Sequence, residues 1–135
     1  MRRTLEEPAR AAGVRLEGSV DDVAGALRRA DVMVFPSRPT GEGMPGVLVE
    51  AGLSAVPVVA TAVPGTAAIV EDGVTGFVVP VDDLRAMVDA TGRLLDDKTL
   101  RTSMGEAARR RCAERFSLDS VVSVWSSFLR PLLEA

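Results

Sequence analysis

Two carboxylates, Glu42 and Glu50, stand eight positions apart in PTGEGMPGVLVEAGL, residues 39–53, where a Gly- and Pro-rich opening runs straight into an amphipathic helix. The first free amides of that helix, those of Gly46 and Val47, point at anything placed above its N-terminus. Pyrophosphate is the natural guest of such a terminus. Glu50 lies at i+4 from Gly46 and i+3 from Val47, and helical side chains lean back toward the N-terminus, so its carboxylate reaches the same mouth. An ionised carboxylate is acceptor-only and can take both hydroxyl protons of a ribose cis-diol. One short helix would then hold the two halves of a nucleoside diphosphate. Glu42 precedes the helix, on the far side of the phosphates, where a sugar on the terminal phosphate would lie; there it can bind sugar hydroxyls or stabilise a cationic transition state. Spacing alone leaves an ordinary reading open. Glu42 can be an exposed loop residue, Glu50 the solvent face of a helix, and Gly41, Gly43 and Gly46 turn formers.

Composition removes most other chemistry. The 135 residues include no His and a single Cys, Cys112. This excludes His- and Cys-based metal sites, Ser-His-Asp and Cys-His triads and intramolecular disulfides. No metal and no cofactor is expected, and catalysis must use carboxylates, backbone dipoles or the bound substrate. Cys112 is expected to pack as a small hydrophobe. The net charge is −3 and the basic residues are almost all Arg scattered over helical faces, so no nucleic-acid footprint is expected. There is no apolar run of membrane-spanning length, and MRRTLEEPARAAG lacks the apolar centre of a signal peptide, which points to the cytoplasm. With 47% hydrophobic and 26% charged residues, residues 1–135 are expected to form one globular domain.

Four short β-branched runs, VRLEG, DVMVFP, PVVAT and GFVVP, alternate with helical patterns, the mark of an α/β fold with a parallel sheet covered on both faces. Asp21 is the expected N-cap of a helix through Arg29 with Val23, Leu27 and Ala30 inward. The next helix should open at Pro45 and run to about Leu53, and AVPGTAAIVEDGVTG should be loop with at most one helical turn. From Asp82-Asp83 the chain reads as entirely helical, with breaks near Asp96 and Ser117. Met87, Met104, Trp125 and Phe128 lie at helical spacing and are expected in the core; Arg109–Arg111 reads as a solvated face. In a parallel sheet ligands gather at the carboxyl ends of strands, which is where FPSRPTGEGMPG falls.

At these residues the sequence resembles the nucleotide-sugar-binding domain of GT-B glycosyltransferases, in particular the retaining family-4, glycogen synthase-like group. The likeness is carried by the E-x7-E spacing inside ADVMVFPSRPTGEGMPGVLVEAGLSAVPVVAT, followed in order by VEDGVTGFVVPVDD and RRRCAERFS, and extends from about residue 13 to 129. It implies a Rossmann-like parallel sheet of about four strands, an incomplete GT-B C-terminal domain with a helical C-terminus, and binding of a nucleoside diphosphate sugar. Glu50 would hold ribose; the amides of Gly43, Met44, Gly46 and Val47 would hold diphosphate; Glu42, as the catalytic group, would contact the transferred sugar. Ser19 and Val20, after the first strand, would lie beside the base. The reaction would keep anomeric configuration and need no metal.

This chain departs from the family at several positions. Pro64 and Ala68 in VPGTAAIV replace a usual Gly and Glu, and Gly52 and Ala55 replace the usual Met and Gly of a helix end. The family's upstream Arg and Lys, which neutralise the diphosphate, and its acceptor domain fall before Met1. The resemblance therefore implies a hexosyltransferase part that is inactive alone and acts on an unspecified acceptor, or else a non-catalytic binding or scaffolding subunit of a split or degenerate enzyme. In a sheet ordered 3-2-1-4-5-6 the four runs correspond to strands 3, 4, 5 and 6. Without strands 1 and 2, either VRLEG pairs directly with DVMVFP or two chains meet across the exposed edge as a homodimer, the preferred outcome; an acceptor-domain partner is the other partner expected.

Overall fold

The computed structural model describes residues 2–40 and 43–133. Helices α1 (Arg2–Ala11) and α2 (Val23–Arg28) precede strand β1 (Met33–Phe35), which is followed by α3 (Gly46–Leu53), β2 (Val58–Thr61), α4 (Thr66–Ile69) and β3 (Gly76–Val79). Three helices close the chain: α5 (Leu84–Asp96), α6 (Lys98–Phe116) and α7 (Leu118–Leu133). The strands form one parallel sheet in the order β1-β2-β3, with Met33 opposite Val58 and Val58 opposite Gly76. The α/β architecture and helical C-terminus agree with the sequence.

β2 is the central strand and all four of its residues are buried. Because side chains alternate across a strand, Val58 and Ala60 join Leu48, Ala51, Ile69 and Cys112 beneath α3 and α6. Val59 points the other way, into a cluster with Phe77, Met87, Leu94 and Met104 beneath α5 and α6. Burial on both faces is why PVVAT is an uninterrupted apolar run. Cys112 is 1% exposed, and burial pushes its thiol pKa up, offset in part by the neighbouring Arg111 guanidinium. Arg101 ties this frame together, donating to the carbonyls of Leu94 and Leu95 at 2.9 and 3.0 Å and pairing with Asp31 ahead of β1.

VRLEG forms no strand. Residues 14–18 carry no regular structure, Val14 and Leu16 are exposed, and the run does not pair with β1. A strand is held by the ladder beside it, and among the described residues nothing supplies that ladder. The sheet therefore has three strands rather than four. Met87 and Met104 are core residues as expected, but Trp125 and Phe128 are not. They stack edge to face at 6.1 Å on α7, which has no buried residue. Helical spacing gave α7 an apolar stripe, but no element of the described chain lies over it. The N-cap of α2 is Asp22, whose carboxylate accepts from the amide of Gly25 at 2.7 Å; Leu27 is half-buried, while Val23 and Ala30 are exposed. Arg109 and Arg110 are solvated, whereas Arg111 donates to the carbonyl of Ile69 at 3.0 Å and pairs with Glu71 at 2.8 Å. α1 corresponds to none of the expected elements; its segment is rich in Arg and Glu and carries Pro8 inside the helix.

Candidate functional site

The site is built where β1 and β2 end. After Phe35 the chain passes through Pro36–Thr40 and Gly43–Met44 to Pro45, the N-cap of α3, with ψ of 99°. Among the described residues no side chain caps this helix. The orphan donors of its first turn, the amides of Gly46 and Val47, therefore face the carboxyl edge of the sheet. A Cβ built on Gly43 or on Gly46 would meet nothing within 4 Å among the described residues, which leave the space beside this helix start open. Gly65 fixes the loop that leads to it. With φ of +85°, its Cα approaches so closely that a Cβ would lie 2.3 Å from the carbonyl oxygen of Gly43 and 3.0 Å from Met44 Cα. The connection after β2 thus abuts the loop after β1. Thr61, at the end of β2, donates to the carbonyl of Ser37 at 2.6 Å and holds the same loop from below.

Glu50 stands one turn into α3 on its exposed face, with Gly46 and Leu53, while Leu48, Ala51 and Gly52 face the core. It lines a cleft of about 470 Å³ bounded by Ala24 and Arg28 of α2, Leu53, Ser54 and Ala55 at the end of α3, and Arg109 of α6. On the other side of the β1 loop is a cavity of about 430 Å³ lined by Pro36, Ser37, Arg38, Thr61, Asp82, Asp83, Leu84 and Met87. At its rim Arg38 pairs with Asp82 at 2.8 Å, both largely solvated, so the pair adds little stability. Among the described residues no group of His, Cys, Asp or Glu is arranged to hold a metal ion.

Residues 1–97 match the family described as glycosyl transferases group 1. The chain belongs to that family. Curated relatives include N-acetyl-alpha-D-glucosaminyl L-malate synthase of Bacillus anthracis, 33% identical over 86% of the chain and 30% of that protein. Another is the capsular polysaccharide biosynthesis glycosyltransferase CapM of Staphylococcus aureus, 32% identical over 82% of the chain and 30% of that protein. Among solved structures, sucrose-phosphate synthase from Thermosynechococcus elongatus superposes with a TM-score of 0.84 at 28% identity, covering 98% of this chain and 34% of the synthase. Anabaena HepE, solved with UDP, also gives 0.84 over 99% of this chain and 37% of its own, at 22% identity. The fold is that of GT-B glycosyltransferases, and the chain spans about a third of the length of these proteins.

Within this group 1 glycosyltransferase chain, Gly43, Met44, Gly46, Val47 and Glu50 occupy one loop and one helix, as the sequence predicts. Met44 is 60% exposed at the helix mouth. Glu42 lies outside the described residues. Ser19 and Val20 are exposed in the segment leading to Asp22 and α2, and line neither cavity. Ala68, in the place of the family's usual Glu, is exposed on the single turn of α4, and Pro64 is exposed just before it. Sequence reasoning missed Arg28, Arg109 and the clamp at Gly65. Two arginines on different helices carry no shared local pattern, and a glycine's backbone neighbours are invisible until the loops are folded.

Proposed function

We propose that this chain is the donor-binding part of a retaining glycosyltransferase that moves a hexose from a nucleoside diphosphate sugar to an acceptor hydroxyl. The observation that carries the reading is the uncapped start of α3, opening onto unfilled space, with Glu50 one turn further on. Diphosphate would sit on the amides of Gly43, Met44, Gly46 and Val47, ribose on Glu50, and the base beside Ser19 and Val20. Glu42 would contact the sugar as its bond to the diphosphate oxygen breaks and its bond to the acceptor oxygen forms. UDP and UDP-glucose in solved structures of Anabaena HepE support a nucleotide-sugar donor. The reading includes a cytoplasmic location; among the described residues, no helix is long and apolar enough to cross a membrane. The 135-residue chain is proposed to be inactive alone, because two phosphates and a leaving diphosphate need cationic help and the cleft needs a second domain to exclude water. That second domain is an acceptor domain, and a homodimer across the β1 edge is the other partner proposed. A non-catalytic binding subunit is the second reading, favoured by Ala68.

Titration of the chain with nucleoside diphosphates tests the site. Glu50→Ala is expected to weaken binding by about 1.5–3 kcal/mol, the range for hydrogen bonds to a charged group. Unchanged affinity removes Glu50 from the ribose. In a protein completed by an acceptor domain, Glu42→Gln is expected to cut turnover far more than nucleotide affinity, and equal losses in both would leave Glu42 a structural role. A completed protein that binds nucleotide but transfers nothing would establish the binding-subunit reading.

A further inference from the structure

Thr66, the first residue of α4, carries a polar group that the fold leaves unsatisfied. Its side chain has no exposed surface, and its hydroxyl has no hydrogen-bond partner among the described residues. The main chain here is fully engaged: the amide of Thr66 donates to the carbonyl of Val63 at 3.1 Å, and its carbonyl accepts from the amide of Val70 at 2.8 Å. The buried residues of this single turn are Thr66 and Ile69. Residues three apart share a helix face, and Ile69 packs with Leu48 and Ala51 of α3, so Thr66 lies on the face of α4 turned to α3. Val has the same shape and would fill this place without the cost of burying an unpaired hydroxyl. An orphaned polar group in a packed interior needs a reason.

The residue before it supplies one. A Cβ on Gly65 would lie 2.3 Å from the carbonyl oxygen of Gly43 and 3.0 Å from Met44 Cα. Thr66 therefore stands one residue from the loop that delivers the start of α3. We propose that Thr66 is a positioning residue for the donor: when a nucleoside diphosphate settles on the start of α3, the Thr66 hydroxyl donates to the carbonyl of Gly43 and fixes the loop with its amides toward the phosphates. The inference rests on the donor-site reading and adds to it a residue that touches no part of the ligand. Gly43 C=O and Met44 N–H belong to one planar trans peptide and point opposite ways. Holding that carbonyl toward α4 thus aims the Met44 amide to the open side of the loop. A ligand stabilises the conformation to which it binds better, so a hydroxyl bond made only in that conformation adds to affinity. The same hydroxyl, unpaired, lowers the stability of the chain.

Titration of the full 135-residue chain with UDP, GDP and ADP, beside thermal melts, tests the assignment with two variants. Thr66→Val keeps the shape and removes the hydroxyl. Thr66→Ser keeps the hydroxyl and removes the methyl. Thr66→Val is expected to bind the nucleotide that the wild-type chain binds best about three- to tenfold more weakly, and to melt at or above the wild-type temperature. Thr66→Ser is expected to bind it within about twofold of the wild type and to melt lower, since a buried methyl is lost. The two variants thus rank oppositely in affinity and in melting temperature, whereas a structural role alone would move both readouts the same way. A Thr66→Val chain that binds as tightly as the wild type overturns the inference. So does one that melts lower, because its hydroxyl then already has a partner without nucleotide, and so does a Thr66→Ser chain that loses as much affinity as Thr66→Val. A wild-type chain that binds none of the three nucleotides would instead overturn the donor-site reading, and this inference with it; nucleotide binding that ignores the Thr66 hydroxyl overturns the inference alone.

Discussion

Gly65 shows how much of the site depends on a residue with no functional group. Its φ of +85° favours glycine, and its Cα sits where a methyl would be 2.3 Å from the Gly43 carbonyl and 3.1 Å from Pro45 Cδ. Both obstacles belong to the loop that delivers the start of α3. Gly65→Ala is therefore expected to destabilise the chain by about 1–3 kcal/mol, the usual range for overpacking a tight contact, with the left-handed backbone adding to it. It should also weaken nucleotide binding, because relief of the clash moves Gly43–Pro45. Thermal melts and the same nucleotide titration check both effects, and a variant with an unchanged melting temperature would show that the two loops are not clamped. The neighbouring Thr66 is sealed from solvent, and its hydroxyl finds no hydrogen-bond partner among the described residues. At this scale the position of Glu50 one turn into α3 was legible in the sequence, because local spacing defines it. The clamp was not, because it is a distance between two connections that lie about twenty residues apart in the chain.

α3 positions the site and is itself held by its far end. The amide of Val56 donates to the carbonyl of Ala51 at 3.0 Å and that of Ala55 to Gly52 at 2.9 Å. These two bonds are the signature of a Schellman cap, with Ala55 in the left-handed position at φ of 58°. A side chain in that conformation costs roughly 1–2 kcal/mol, which accounts for the usual glycine of the family at this place. Ala55→Gly is expected to stabilise the chain by about 0.5–1 kcal/mol after the greater freedom of glycine in the unfolded state is subtracted. That corresponds to a rise of about 2–5 °C in melting temperature, and a fall would mean that the half-buried methyl matters more than the backbone. Gly52 answers another departure. A Cβ there would lie 2.4 Å from Cys112 Sγ, so α3 and α6 approach at this point more closely than a side chain permits. Element ends were well marked in the sequence: Pro45 opens α3, Asp83 caps α5 by accepting from the amide of Ala86 at 2.9 Å, and Ser117 separates α6 from α7. Caps are local, and local rules find them.

Among the described residues, apolar surface is exposed at the edge of the sheet and along α7. β1 has a neighbour on one side only, with Val34 exposed on it and Val14 and Leu16 exposed upstream. α7 presents Val124, Trp125, Phe128 and Leu132 to solvent. An unpaired edge strand offers its N–H and C=O groups to any second chain, and β1 has not been closed by VRLEG. Light scattering over a dilution series is expected to give a mass above the 14.2 kDa of one chain at high concentration, falling on dilution. A monomer mass throughout would rule out the homodimer. The sequence alone determined the α/β class, the three paired strands, the helical C-terminus and the loop-to-helix layout around Glu50. Each rests on periodicity, turn chemistry or spacing within a short segment. Only the tertiary structure decided whether an apolar pattern becomes a strand or a core helix. VRLEG and α7 have patterns as good as those of β2 and α5, but burial needs an opposing surface, and their own residues do not encode where that surface is. For the same reason Arg28 and Arg109 became groups of one cleft with Glu50 only after α2, α3 and α6 had packed together.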